Sequence, residues 1–240
     1  MRIFFKVVSV MFLSLFFQCL HASAISVEPM IADLNYENRF QDIMVQNVGS
    51  DTAYVELQIY RLDNPGLPTQ KFVALEDNPL QVGLIATPSK LIVPANQTRI
   101  VRALYLGAPP TSDIVYQVVI KPVTGQLVAL ASPSSKVTTG VQVIIAYGVT
   151  LYVRPVKLDH TIKAVRTGTA LTLTNTGNTT VIVGECQQCT AADHKKCNTL
   201  SNLGKTLFPG NTWTDTLPAA LPLTCQEEVR QNEYYPLTIQ

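Results

Sequence analysis

The chain has 240 residues, 47% of them hydrophobic and 15% charged, with a formal net charge of +1. Such a balance removes the electrostatic case for a nucleic-acid or anionic-membrane binder, whose affinity rests on clustered cations. The length suits one large domain or two.

The first segment reads MRIFFKVVSVMFLSLFFQCLHASA. Arg2 and Lys6 supply a positive start, Val7 to Phe17 an apolar stretch, and Ala22-Ser23-Ala24 a small-residue cleavage site, which together predict a secretory signal over residues 1–24. Cys19 follows Phe16-Phe17-Gln18, which lacks the small residues of lipoprotein processing, so it is expected to be discarded with the signal. Removing Arg2 and Lys6 from the 18 basic residues leaves 16 against 17 acidic ones, a mature chain of net charge about −1. No later apolar stretch is long enough to span a bilayer as a helix, so an exported, soluble protein is expected.

Short Val/Ile/Tyr/Thr runs follow, between turn residues. They are Asp42–Asn47, Ala53–Leu62, Lys90–Ala95, Arg99–Leu106, Ile114–Val123, Ala170–Thr176 and Thr180–Glu185. Asn47 to Asp51, Asp63 to Gly66 and Asn175 to Asn178 punctuate them. None keeps a helical period, and short strands at this spacing predict an all-β sandwich fold.

The most β-prone run is Val141–Val153, VQVIIAYGVTLYV, with one glycine and no charge. It exceeds the ordinary strand length of about 5–6 residues. Val141, Val143, Ile145 and Tyr147 fall on one face, and Gln142, Ile144, Ala146 and Gly148 on the other. The plain reading is a core strand; the sharper one is an apolar edge completed by another chain. Arg154-Pro155 ends the run and marks the expected boundary between residues 25–155 and 156–240.

The four mature cysteines, Cys186, Cys189, Cys197 and Cys225, all fall in the smaller C-terminal block. An even count in an exported chain predicts two disulfides, and spacing leaves all three connectivities open. A domain that small also benefits from covalent support. Cys186, Cys189, His194 and Cys197 approach a zinc-knuckle pattern but fall two residues short between His194 and Cys197. Neither His160 nor His194 sits with a G-x-S-x-G elbow, and no phosphate-binding glycine loop occurs, so an enzyme is not expected. The sequons at Asn96 and Asn178 are read as chance.

Several segments resemble the periplasmic chaperones of the chaperone–usher pilus pathway, in an alternative, class α-like branch. The first domain carries Thr87-Pro88, then Lys90 to Pro94, Gln97 to Arg102, Asp113-Ile114-Val115-Tyr116 and Gln117 to Pro122. The second carries Leu171 to Asn178, the Cys186–Cys197 segment and Phe208-Pro209-Gly210. The resemblance implies two immunoglobulin-like sandwiches arranged as an L, and a chaperone that stabilises pilus or fimbrial subunits and delivers them to an outer-membrane usher. It would act in the periplasm, without cofactor, metal or nucleic acid, by donating its G1 strand to the incomplete subunit fold; strand addition in pilin complexes is a documented case of this recognition mode. The implied groove-filling residues are Val141, Val143 and Ile145, with Tyr147 as a fourth.

The same resemblance implies an interdomain ion pair between Asp113 and Arg154, and pairing of Cys186 with Cys197 and Cys189 with Cys225. The family's carboxylate-binding cations fall at Ile31 and Thr150, which are not basic, while Arg102 and Lys121 are alternative basic candidates near the cleft. A free chaperone with an open apolar edge would also be expected to self-dimerise. The rival reading is a secreted two-domain adhesin or carbohydrate-binding module, which would need an exposed aromatic platform although the chain has one Trp, Trp213.

Overall fold

A computed structural model describes residues 25–75, 83–123, 144–190, 197–200 and 204–239. The described residues contain no helix; they form two β-sandwiches, each with its own apolar core. In the first, β1 (Ile25–Glu28), β3 (Phe40–Asn47), β8 (Thr98–Tyr105) and β6 (Leu84–Thr87) form one sheet in the order β1-β3-β8-β6. The facing sheet runs β2-β10-β9-β4-β5. Its strands are β2 (Ile31–Leu34), β10 (Tyr147–Val153), β9 (Ile114–Val123), β4 (Ala53–Asp63) and β5 (Lys71–Ala74), and β7 (Lys90–Val93) also pairs β4.

Alternation builds this core. Ile43 and Val45 of β3, Val101 and Ala103 of β8, and Val118 and Ile120 of β9 are all fully buried, with their neighbours facing out. Burying each such aliphatic side chain stabilises the fold by about 1.5–3 kcal/mol before chain entropy is counted. In β10, Val149, Leu151 and Val153 face the same core.

The second sandwich sets β11 (Ile162–Thr167), β12 (Ala170–Asn175) and β16 (Thr212–Thr216) against a five-stranded sheet. That sheet runs β14-β13-β17-β18, with β15 beside β13; the strands are β13 (Val181–Cys189), β14 (Cys197–Leu200), β15 (Lys205–Leu207), β17 (Leu223–Arg230) and β18 (Glu233–Ile239). Trp213 packs against this core, so the adhesin reading loses the one residue best suited to a sugar platform.

Both disulfides form, but the expected partners are exchanged. Cys186 joins Cys225, and Cys189 joins Cys197. The register explains it: Cys189 and Cys197 stand opposite each other across the β13–β14 hairpin. Cys186 and Cys225 both point into the core, each 1% exposed, from adjacent strands β13 and β17. In the chain-entropy view the 39-residue closure contributes about 4 kcal/mol and the 8-residue closure about 2.5 kcal/mol. Removing Cys186–Cys225 is therefore expected to lower the denaturation midpoint more than removing Cys189–Cys197. Peptide mapping under non-reducing conditions checks the pairing, and equal losses would contradict the ranking.

Candidate functional site

The long β-prone run does not form one strand. Its first three residues, with Val141 and Val143, lie outside the described residues; Ile144, Ile145 and Ala146 precede the strand, and β10 starts at Tyr147. β10 lies antiparallel to β9 from Tyr147↔Ile120 to Val153↔Ile114. β9 itself continues through Lys121, Pro122 and Val123, which pair β4 at Glu56, Val55 and Tyr54. Tyr147 is committed to the chain's own sandwich, pairing Ile120 and packing against the first core.

Ile145 differs. By the two-residue period it continues the face that holds Val149, Leu151 and Val153 at 0–1% exposure, yet it is 55% exposed. Ile144 beside it is 41% exposed. An apolar face that serves the core inside the sheet thus runs on past its end.

At the other end of β10, Arg154 joins the two sandwiches. Its side chain is 5% exposed. Nη1 donates to Asp113 Oδ2 at 2.5 Å and to Thr179 Oγ1 at 3.0 Å, and Nη2 to the Val229 carbonyl at 3.0 Å. Nε reaches Asp33 Oδ1 at 2.8 Å, and the guanidinium lies 4.6 Å from the centre of the Tyr152 ring. Asp113 has no exposed side-chain surface and accepts further bonds from the Thr179 hydroxyl and the Thr180 N–H. The expected Asp113–Arg154 pair is present, and Asp33 and Tyr152 extend it. A charge so buried is tolerable because nearly every donor and acceptor around it is matched.

Asn178 braces the same junction. Its carbonyl accepts from Asp113 N at 2.9 Å and Ser112 Oγ at 3.1 Å, both in the first sandwich. Its side chain holds the connecting segment, accepting from Asp159 N at 2.8 Å and donating to the Lys157 carbonyl at 3.0 Å. The Asn178-Thr179-Thr180 sequon is therefore a structural element, with Thr179 fully buried.

Between the sandwiches lies a cleft of about 210 Å³, walled by Ile31, Asp33, Tyr152 and Arg154 on one side and by Ile182 and Arg230 on the other. Burial raises the Tyr152 phenol above its ordinary pKa, so it stays neutral. Ile31 and Thr150 are direct partners in the parallel β2–β10 pairing, so the two positions are adjacent, but neither carries a charge. Arg230 shares the cleft wall with Arg154 and has Glu233 at 3.9 Å.

Two of the expected basic candidates lie elsewhere. Arg102 is on β8, in the opposite sheet, gripping Asp42 through two 2.7 Å bonds and lying 4.5 Å from the centre of the Phe40 ring. That contact holds the Asp42 carboxyl below its ordinary pKa. Lys121 is on the sheet that borders the cleft, but seven positions along β9 from Ile114, roughly 24 Å at a rise of about 3.4 Å per residue. Neither position was distinguishable in the sequence, because strand polarity and sheet membership are long-range properties.

A separate pair lies on the second sandwich, where His160 Nδ1 is 3.2 Å from Glu227 Oε2 and the imidazole stacks on Tyr235 with centroids 4.5 Å apart. Glu227 is 5% exposed, and burial raises its carboxyl above the ordinary 4.5 despite the opposing contact with His160. The folded state therefore holds this proton more tightly than the unfolded chain. That stabilisation is full below the ordinary carboxylate pKa and is lost as pH rises through the raised one. Glu227→Gln, which keeps an acceptor but never ionises, is expected to remove this dependence. Its melting temperature should gain on the parent between about pH 4 and pH 7; a constant difference across that range would contradict it.

No family model matches the sequence. The fold matches the class 5 fimbriae chaperone CfaA with a TM-score of 0.67 at 17% identity, over 90% of this chain and 98% of that one. A chain in the Salmonella enterica complex of SafA pilin with the SafB chaperone matches with a TM-score of 0.60 at 14% identity, over 90% and 96%. In sequence, a CS1 fimbrial subunit of Escherichia coli is 25% identical over 174 residues, 71% of each chain. The chain belongs to the periplasmic pilus chaperones. As a chaperone of this family it keeps a basic residue at the end of β10, Arg154, but has Ile31 and Thr150 where the resemblance leads one to expect cations.

Proposed function

We propose that this chaperone binds fimbrial subunits by lending them the strand that begins in residues 141–146, and passes them to an outer-membrane usher. The observation that carries the reading is Ile145: an apolar side chain more than half exposed, in line with the core-facing residues of β10, beyond the point where β10 pairs β9. A subunit lacking one strand offers unpaired N–H and C=O groups and an open apolar groove, and an added strand answers both. Val141, Val143 and Ile145 are the groove-filling residues in this reading, and Tyr147 remains with the chaperone's own core.

Residues 25–155 form the subunit-binding unit and residues 156–240 the disulfide-bonded support. Asp113 and Arg154 hold the two together, and Arg230 is the cation presented to a subunit segment entering the cleft. Export follows from the 1–24 signal, cleaved after Ala24. In the absence of subunit, the same apolar edge pairs with a second copy of the chain. Co-expression with a strand-deficient fimbrial subunit tests the proposal: a soluble one-to-one complex is expected, and a subunit that aggregates equally with and without the chaperone would refute it.

A further inference from the structure

A second set of contacts, distinct from the Arg154 cluster, also joins the sandwiches. The β4–β5 loop begins Asp63-Asn64-Pro65-Gly66-Leu67, and Leu67 N donates to the Asn64 carbonyl at 3.2 Å, closing a turn with Gly66 in its third position. Gly66 has φ +74°, the value a type II turn demands there and one that glycine adopts without strain. Its bare Cα faces the other sandwich. A Cβ at that point would overlap the Asn211 amide nitrogen and crowd the Phe208 ring.

The contact is bonded as well as close. Asn211, 5% exposed, donates through Nδ2 to the Pro65 carbonyl at 3.0 Å. Its loop is held in place because Asn211 N donates to the Phe208 carbonyl and the Asn211 carbonyl accepts from Asn175 N, each at 2.9 Å. Phe208 in turn lies 6.5 Å, centre to centre, from the ring of Tyr152, which walls the cleft and supports Arg154. A single junction at Arg154 would leave the sandwiches free to rotate about it. A second contact, made by a different loop, removes that freedom.

We propose that the Pro65–Gly66 turn and the Phe208–Asn211 loop form a latch that sets the opening of the interdomain cleft, with Gly66 and Asn211 as positioning residues for subunit capture. The inference rests on the function proposed above. Its cost structure is specific: Gly66→Ala adds a methyl group in the way and a strained φ, whereas Asn211→Ala removes one bond and leaves the backbone alone.

The experiment uses the full mature chain with Gly66→Ala, Asn211→Ala and the double variant, each compared by small-angle X-ray scattering, thermal melting and capture of a co-expressed fimbrial subunit. Gly66→Ala is expected to enlarge the scattering radius and reduce capture roughly fivefold to tenfold, with both sandwiches melting as in the parent. Asn211→Ala should have the smaller effect, and the double variant should return towards it, because the overlapping side chain is gone. Unchanged radius and capture in Gly66→Ala, additive losses in the double variant, or a capture loss that tracks the melting temperature would each overturn the latch. If the parent itself captures no subunit, the functional reading fails, and the radius of Gly66→Ala still decides whether the latch exists.

Discussion

Replacing Arg154 with alanine is expected to destabilise the protein by about 3–5 kcal/mol, the usual cost of stranding one member of a buried ion pair. The residue left behind is Asp113, with no exposed side-chain surface and two remaining donors, the Thr179 hydroxyl and the Thr180 N–H. Those donors do not replace a positive charge 2.5 Å away. Adding Asp113→Ala removes the stranded carboxylate, so the double variant should cost less than Arg154→Ala alone. Chemical denaturation of the two single variants and the double one gives the coupling directly. Additive losses would mean that the two groups do not meet in solution.

The comparison also separates two consequences of the cluster. Asp33 and Asp113 come from the first sandwich, while Thr179, Thr180 and Val229 come from the second, so Arg154 is shared between both cores. Its loss should therefore reduce the cooperativity of unfolding as well as the midpoint.

Much of the fold was legible because it depends on local alternation. The runs at Asp42–Asn47, Ala53–Leu62 and Ile114–Val123 all became strands, and their apolar positions became the core. The Val141–Val153 run was legible only in part. Periodicity fixed which side chains share a face, but not where the sheet would stop supplying a partner strand, and the pairing begins at Tyr147. That is why Tyr147 changes from a donor residue to a core residue, while Ile145 stays exposed.

The remaining errors have one physical source, which is that sequence distance says nothing about contact across a sandwich. Arg154 meets Asp33 across 121 positions and Val229 across 75. Neither Asp33 nor Arg230 carried a local signal, and Asn178 was visible only as a glycosylation triplet. Arg102 and Lys121 looked available because they lie in the right domain, yet one faces out from the other sheet and the other lies at the far end of β9. The disulfide partners were exchanged because cross-strand register, not spacing, brings Cys189 to Cys197.

Donation of the strand before β10 is the central claim, and Ile145→Glu tests it most directly. Ile145 is 55% exposed in the free chain, so a carboxylate there remains in water and the melting temperature should stay near that of the parent. On capture the same carboxylate would be buried without a partner, a penalty of several kcal/mol, enough to abolish recovery of soluble subunit. Gln142→Glu, on the opposite face by period, should leave capture closer to normal. The decisive measurement is subunit recovered per chaperone, set against chaperone melting temperature, for Ile145→Glu. Lost capture with unchanged melting is the predicted result; early unfolding would place Ile145 in the chaperone's own core, and normal capture would mean that no subunit groove receives this strand.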